Sequence, residues 1–275
     1  MPRIGIFQSR TGIDPAANAE ALVGAIEAAS QGGAAMLFTP EMSGLLDRDS
    51  ERAGKSVKPA EEDQVLAACR DAARKTGIWL HLGSLAVAAE SGKFSNRGFV
   101  IDSAGEIRAT YDKIHLFDVD LPTGESWRES AVYRGGSEVV VVDGTPVGRL
   151  GLTICYDLRF PALFERLTNA GAQVIAVPAA FTVPTGRAHW EVLLRARAIE
   201  AGVFIVAAAQ CGSHEDGRRT YGHSLLVDPW GEILTDMDEQ VGVGFADIDL
   251  GRIAEVRRRI PAIDHRRPVG EAIER

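Results

Sequence analysis

The sequence predicts an α/β fold in which mixed sheets are covered by helices. Three observations carry that expectation: strand-like and helical segments alternate early in the chain, hairpin turns then interrupt the alternation, and no linker-like change in composition divides the 275 residues. A purely parallel, doubly wound sheet would need the alternation to continue to the end.

Arg3 to Phe7 reads as the opening strand. Asp14-Pro15 supplies an N-cap followed by proline at the first helical position, and the alanine-rich run Ala16 to Ser30 stops at Gly32-Gly33. Ala34 to Phe38 is a short apolar strand leading into Thr39-Pro40-Glu41, and Leu45 to Pro59 reads as polar and irregular. A helix over Glu61 to Lys75 places Val65, Leu66, Cys69, Ala72 and Ala73 on one face. Ile78 to Val87 is a strand, and Phe99 to Ile101 and Ile107 to Tyr111 flank a turn at Asp102-Ser103-Ala104-Gly105. The segment Ile114 to Ser137 is rich in glycine and charge, and its length is expected only where a connection lines a site.

Glu138 to Val142 and Val147 to Ile154 form a hairpin around Asp143-Gly144-Thr145-Pro146, which delivers Cys155 to the turn before a helix running from Ala162 to Gly171. Val174 to Val177 is a buried strand, Ala179 to Arg187 a loop and Ala188 to Ala201 a longer helix. Val203 to Ala209, Ser224 to Val227, Glu232 to Leu234 and Val243 to Ile248 complete the strands, with a turn at Asp228-Pro229-Trp230-Gly231. Leu250 to Ile260 is a basic helix, and residues 261–275 form a polar tail. The whole of 1–275 reads as one domain.

Hydrophobic residues at 45%, charged residues at 25% and a mean hydropathy of -0.02 describe an ordinary globular protein. A net charge of -8 argues against nucleic acid and anionic membrane as partners and favours small-molecule chemistry. Cys69, Cys155 and Cys211 lie far apart, with no Cys-x-x-Cys pair, so neither a disulfide framework nor a metal site is expected. Free thiols, no signal-like N-terminus and no membrane-length apolar run point to a cytoplasmic protein.

Glu41, Lys113 and Cys155 each directly follow an apolar strand segment. If those strands are parallel neighbours, the three side chains converge at one sheet edge, where α/β proteins place their sites. The residue types then make chemical sense. A thiolate is a strong nucleophile that a nearby ammonium stabilises, and a carboxylate can take the thiol proton and return it to a leaving amine. The lysine and the backbone N–H of Tyr156 can hold the negative oxygen of a tetrahedral intermediate. Residue type alone leaves open a core cysteine, a solvated glutamate and a surface lysine.

Phe38-Thr39-Pro40-Glu41, Tyr111-Asp112-Lys113-Ile114-His115-Leu116-Phe117-Asp118 and Ile154-Cys155-Tyr156-Asp157-Leu158-Arg159-Phe160-Pro161 together resemble the nitrilase superfamily of carbon-nitrogen hydrolases, from residue 2 to about residue 268. The resemblance implies a four-layer α-β-β-α sandwich and a Glu-Lys-Cys amidase that needs no cofactor. It makes Cys155 the nucleophile, Glu41 the base and Lys113 the cation, and it matches Glu129 to a second glutamate that holds the lysine. Two carboxylates beside one ammonium would push one glutamate's pKa upward. Arg159 matches the substrate arginine, with an ion pair to Asp157 or Glu165 as its structural alternative; Phe181 and Thr185 match ligand-lining positions.

Ala208-Ala209-Gln210-Cys211-Gly212, Tyr221-Gly222-His223-Ser224 and His265-Arg266-Arg267-Pro268 are similar to the Nit branch. The implied substrate is a small amide bearing a carboxylate, foremost deaminated glutathione. Omega-amidase action on 2-oxoglutaramate or 2-oxosuccinamate is the first alternative, and a catalytically silent binding protein the second. The implied assembly is a homodimer or homotetramer. Cys211, His115 and His223 are expected to be inert.

Overall fold

The computed structural model describes residues 1–89, 92–120 and 124–274. β1 (Arg3–Gln8) leads through α1 (Pro15–Gln31) to β2 (Met36–Phe38). A short helix α2 (Ser50–Gly54), a 3-10 turn and α3 (Gln64–Thr76) lead on to β3 (Trp79–Ala88), which continues into β4 (Phe94–Ile101) and β5 (Ile107–Asp112). β6 (Asp118–Asp120), β7 (Ser126–Arg128), α4 (Glu129–Val132) and β8 (Tyr133–Arg134) follow. The second half runs β9 (Val141–Thr145), β10 (Gly148–Leu152), a 3-10 turn at Cys155–Arg159, α5 (Pro161–Asn169), β11 (Val174–Ala176), α6 (Val183–Ala201) and β12 (Phe204–Ala207). β13 (Cys211–Ser213), β14 (Arg219–Tyr221), β15 (Leu225–Val227), β16 (Ile233–Asp236), β17 (Gly242–Asp247) and α7 (Gly251–Arg259) complete the order.

Two mixed sheets result, ordered β17-β1-β2-β3-β4-β5 and β16-β15-β12-β11-β10-β9. The period-two alternation of side chains divides the first sheet between two cores. Ile4, Ile6, Met36, Phe38 and Val100 face inward and pack with Leu150, Leu152, Val174 and Ala176 of the second sheet. Phe7, Leu37, Phe99 and Ile101 face the other way, against Leu22, Ile26, Leu66 and Cys69 of α1 and α3. Leu163, Phe164, Leu194 and Ala198 of α5 and α6 cover the second sheet. The layers therefore run α-β-β-α, as expected from the resemblance. No helix among the described residues is long and apolar enough to cross a membrane.

Local chemistry explains most element ends. The Asp14 side chain accepts from Ala16 N, the Asp63 side chain accepts from Leu66 N, and Gly77 ends α3 at φ 71°. Several boundaries differ from the sequence reading. The 45–59 segment holds α2 and a small buried cluster of Leu45, Leu46, Ala53 and Val57, because its apolar residues fold over the sheet end. The β9–β10 turn falls at Pro146-Val147, about two residues beyond the expected Asp-Gly signal. α6 begins at Val183, with Pro184 tolerated in its first turn, so part of the expected 179–187 loop is helical. Within 114–137, residues 121–123 lie outside the described residues, as does Arg275 of the tail, and the remainder includes the β6–β7 pair. The β13–β14 hairpin was not anticipated.

Candidate active site

The three strand ends meet, though not on one sheet. β2 and β5 run in the same direction in the first sheet but are separated by β3 and β4, while Cys155 follows β10 of the second sheet. The site lies where the two sheets deliver their ends together. The expectation of neighbouring strands is thus corrected: face-to-face sheet packing, rather than lateral pairing, brings the groups together.

Each group is held by its own backbone anchors. Glu41 sits within a turn in which Ser43 Oγ donates to Pro40 O at 2.7 Å, Met42 N donates to Ser84 Oγ, and Gln210 Nε2 from the second half donates to Glu41 O at 2.9 Å. A Cβ at Gly83 would collide with the carbonyl oxygens of Thr39 and Pro40, so only glycine lets β3 pass under this turn. Cys155 sits at φ 49°, a left-handed conformation that β-carbon sterics disfavour, and its N–H donates to Pro178 O at 2.8 Å. Asp157 N returns to Ile154 O, and no described residue takes the N–H of Tyr156, one of the unpaired donors expected in a first helical turn.

Lys113 Nζ donates to Glu41 Oε1 at 2.8 Å and to Glu129 Oε1 and Oε2 at 3.1 and 2.9 Å. Glu41 Oε2 accepts from Ala180 N, and Glu129 Oε2 accepts from Phe117 N at 2.7 Å. Burial would raise the Glu41 carboxyl, but the charge and hydrogen bond of Lys113, with smaller help from Cys155 and Asn96, hold it below its ordinary value. Burial would likewise lower Lys113, and Glu129 and Glu41 instead raise it well above its ordinary range. Glu41 therefore does not show the upward shift that two carboxylates beside one ammonium suggested for one of the pair. The three ammonium contacts are shared unevenly, and the closest one falls on Glu41.

Cys155 goes the other way. Burial and the Glu41 charge push its thiol well above the usual range, against the smaller opposing effect of Lys113. The resting pair is consequently a neutral thiol beside an ionised Glu41, rather than the standing thiolate expected from an adjacent lysine. An ionised carboxylate hydrogen-bonded to a neutral thiol is able to take its proton.

The Asn96 amide, which sequence reasoning passed over, donates to both Glu41 Oε1 at 2.9 Å and Glu129 Oε1 at 3.2 Å. Asparagine is depleted in strands, yet Asn96 occupies a fully buried position in β4, which the sequence reading began only at Phe99. Asp157, considered in the sequence only as a possible partner of Arg159, is fully buried beneath the Cys155 turn. Its Oδ2 accepts from Tyr111 OH at 2.7 Å and Ile154 N at 2.9 Å, and its Oδ1 accepts from His115 N at 3.0 Å and lies 2.7 Å from His115 Nδ1. His115, stacked on Phe160 with ring centroids 3.5 Å apart, is thereby engaged in holding the turn. Asp157→Asn sets an amide N–H₂ against one pair of these donors, so we expect a loss of about 2–3 kcal/mol in urea unfolding. The variant's kcat should fall with it. Unchanged unfolding would show that the carboxylate does not organise the turn.

A cavity of about 300 Å³ is lined by Glu41, Lys113, Glu129, Cys155, Tyr156, Phe181 and Thr185 together with Arg48, Trp127 and Arg218. Its size falls at the lower end for small-molecule sites. Thr185 lies in the first turn of α6 rather than on a loop, with its hydroxyl 2.9 Å from that of Thr182. Arg159 makes no ion pair with Asp157 or Glu165 among the described residues. Its guanidinium lies over the Tyr156 and Phe181 rings, 5.8 and 5.5 Å from their centroids, and 3.3 Å from His189 Nδ1, without itself lining the cavity. Cys69 and Cys211 are buried; Cys69 packs between α3 and the first sheet, where burial pushes its thiol up to about 12.

Comparison with known proteins identifies the family and the fold. The carbon-nitrogen hydrolase family profile matches residues 3–258. A deaminated glutathione amidase from Bos taurus is 38% identical over 272 residues, which is 98% of this chain and 83% of the relative. The crystal structure of the Caenorhabditis elegans NitFhit protein superposes with a TM-score of 0.89 at 40% identity, covering 97% of this chain and 65% of that longer one. Saccharomyces cerevisiae Nit3, described as a member of branch 10 of the nitrilase superfamily, superposes at 0.84 with 26% identity, covering 94% of each chain.

Proposed function

We propose, from the premise that this chain belongs to the carbon-nitrogen hydrolase family, that it is an amidase hydrolysing deaminated glutathione through a thioester at Cys155. The observation that carries this reading is the buried Lys113 ammonium, held between Glu41 and Glu129 in a cavity that Cys155 also lines. The 38% identity to a relative named for that activity supports the substrate.

In the first half-reaction Glu41 takes the thiol proton as Cys155 Sγ bonds to the amide carbon. The developing oxyanion meets the Tyr156 N–H and the Lys113 charge. Collapse breaks the C–N bond, with the proton passing from Glu41 to the leaving amine. Water, deprotonated by Glu41, then attacks the thioester, releasing the carboxylic acid and returning the proton to sulfur. Glu129 fixes Lys113. Phe181 and Thr185 shape the wall against the acyl half, and Arg159, stacked on Tyr156 and Phe181 behind that wall, adds positive charge to it.

The test is amine release from deaminated glutathione compared with ammonia release from 2-oxoglutaramate. A kcat/KM at least about tenfold higher for deaminated glutathione is expected. The reverse preference would make the protein an omega-amidase, and release from neither would leave a binding protein. Exposed Val192 and Ile199 on α6 support a homo-oligomer joined through that helix, and three free cysteines suit a reducing compartment such as the cytoplasm.

A further inference from the structure

We propose that Arg48, Arg218 and Arg219, with the indole of Trp127, form an anion subsite at the solvent end of the cavity, taking a carboxylate on the leaving-amine half of the amide. The proposal deepens the amidase reading and rests on it. It begins from an imbalance between donors and acceptors. The guanidinium carbons of Arg48 and Arg218 lie 5.4 and 5.1 Å from the Trp127 ring centroid, so one indole holds two like charges close together. The Trp127 Nε1–H is buried and has no hydrogen-bond partner among the described residues. An unsatisfied buried donor is costly, and the residue that carries it lines the same cavity as Cys155.

The nearby carboxylates are already committed. Asp47 is engaged at both oxygens by Arg52, at 2.6 and 2.8 Å. Asp216 Oδ2 accepts from Arg218 Nε at 2.6 Å and from Arg48 N at 2.9 Å, tying the β13–β14 hairpin to the segment before α2. Arg48 and Arg219 have no ion-pair partner among the described residues, and Glu125 is the lining acid left outside an ion pair there. The solvent end is thus basic and rich in donors. At the buried end, Glu41 and Glu129 outnumber Lys113.

This gradient orients a substrate. An anionic tail is repelled from the buried end and held at the mouth, which leaves the amide beside Cys155. With Phe181 and Thr185 against the acyl half, the tail that reaches the mouth belongs to the leaving amine. In deaminated glutathione that tail is the carboxylate of the terminal glycine. A planar guanidinium suits such a group through paired hydrogen bonds.

Calorimetric titration of the Cys155→Ala protein tests the subsite without turnover. Three ligands are compared: deaminated glutathione, its analogue with the glycine carboxylate converted to carboxamide, and its analogue with the keto-acid carboxylate so converted. Loss of the glycine carboxylate should weaken binding about tenfold or more. Adding Arg48→Gln and Arg219→Gln, neither of which removes an ion pair of the fold, should shrink that difference to within about threefold. Undiminished discrimination in the triple variant overturns the proposal, as does equal binding of the glycine carboxamide to the Cys155→Ala protein. A double substitution that abolishes only the discrimination against the keto-acid carboxamide would assign these arginines to the acyl half and also overturn it. Failure of the amidase reading is seen separately, as absence of amine release by the wild type while carboxylate discrimination persists.

Discussion

Cys155→Ala is expected to lower amide hydrolysis by about 10⁴-fold or more while leaving the fold intact. The activity loss follows from covalent chemistry: no other described side chain in the cavity offers a nucleophile already next to an ionised base, and a nucleophile acting with its base accounts for the whole covalent route. The fold survives because the side chain is small and its backbone anchor to Pro178 O does not depend on sulfur. Alanine also keeps the β-carbon at φ 49°, so the comparison changes the thiol and not the backbone preference. Amine release and thermal unfolding of both proteins decide the point. Activity within tenfold of wild type would remove Cys155 from the mechanism.

Lys113→Met should damage both stability and activity. It leaves Glu41 and Glu129 facing one another in a buried site after their shared cation is gone, and breaking a buried pair from one side costs about 3–5 kcal/mol. For a protein of this size that corresponds to a fall in Tm of roughly 6–15 °C. The pH dependence should move as well. In the wild type the Lys113 contacts hold Glu41 below its ordinary value, so its stabilisation is complete above the unfolded pKa and is lost as pH falls through the lower folded one. Without the ammonium, burial dominates and the Glu41 pKa rises. Residual hydrolysis, which needs ionised Glu41, should then appear only at higher pH than in wild type, with kcat reduced by about 10²–10³-fold. A variant with unchanged Tm and an unshifted acid limb would show that Lys113 is not the partner of these carboxylates.

The legible part of the site was the part written in local order. Glu41, Lys113 and Cys155 each end a strand, and strand ends can be read from apolar runs bounded by turns. Asn96 was not seen because the sequence reading began its strand at Phe99, and the residue's meaning comes from partners 55 and 33 positions away. Asp157 gathers donors from Tyr111, His115 and Ile154, a set that no single window contains. Arg48 and Arg218 come from two separate connections and Trp127 from the three-residue strand β7, and segments so short are where sequence periodicity is silent. α6 starts at Val183 rather than near Ala188, because a proline in a first turn costs no hydrogen bond and Pro184 leaves that turn helical.

By itself, the chain determined most of the longer strands and helices, the mixed character of the sheets and the residue types that end the strands, since these follow from alternation, caps and turns within a few residues. Only the tertiary structure decided that Cys155 faces Glu41 and Lys113 across two sheets instead of along one. It alone decided the protonation order as well, with Glu41 charged and Cys155 neutral, because burial and the distances to Lys113 set those energies and neither exists until the sheets pack.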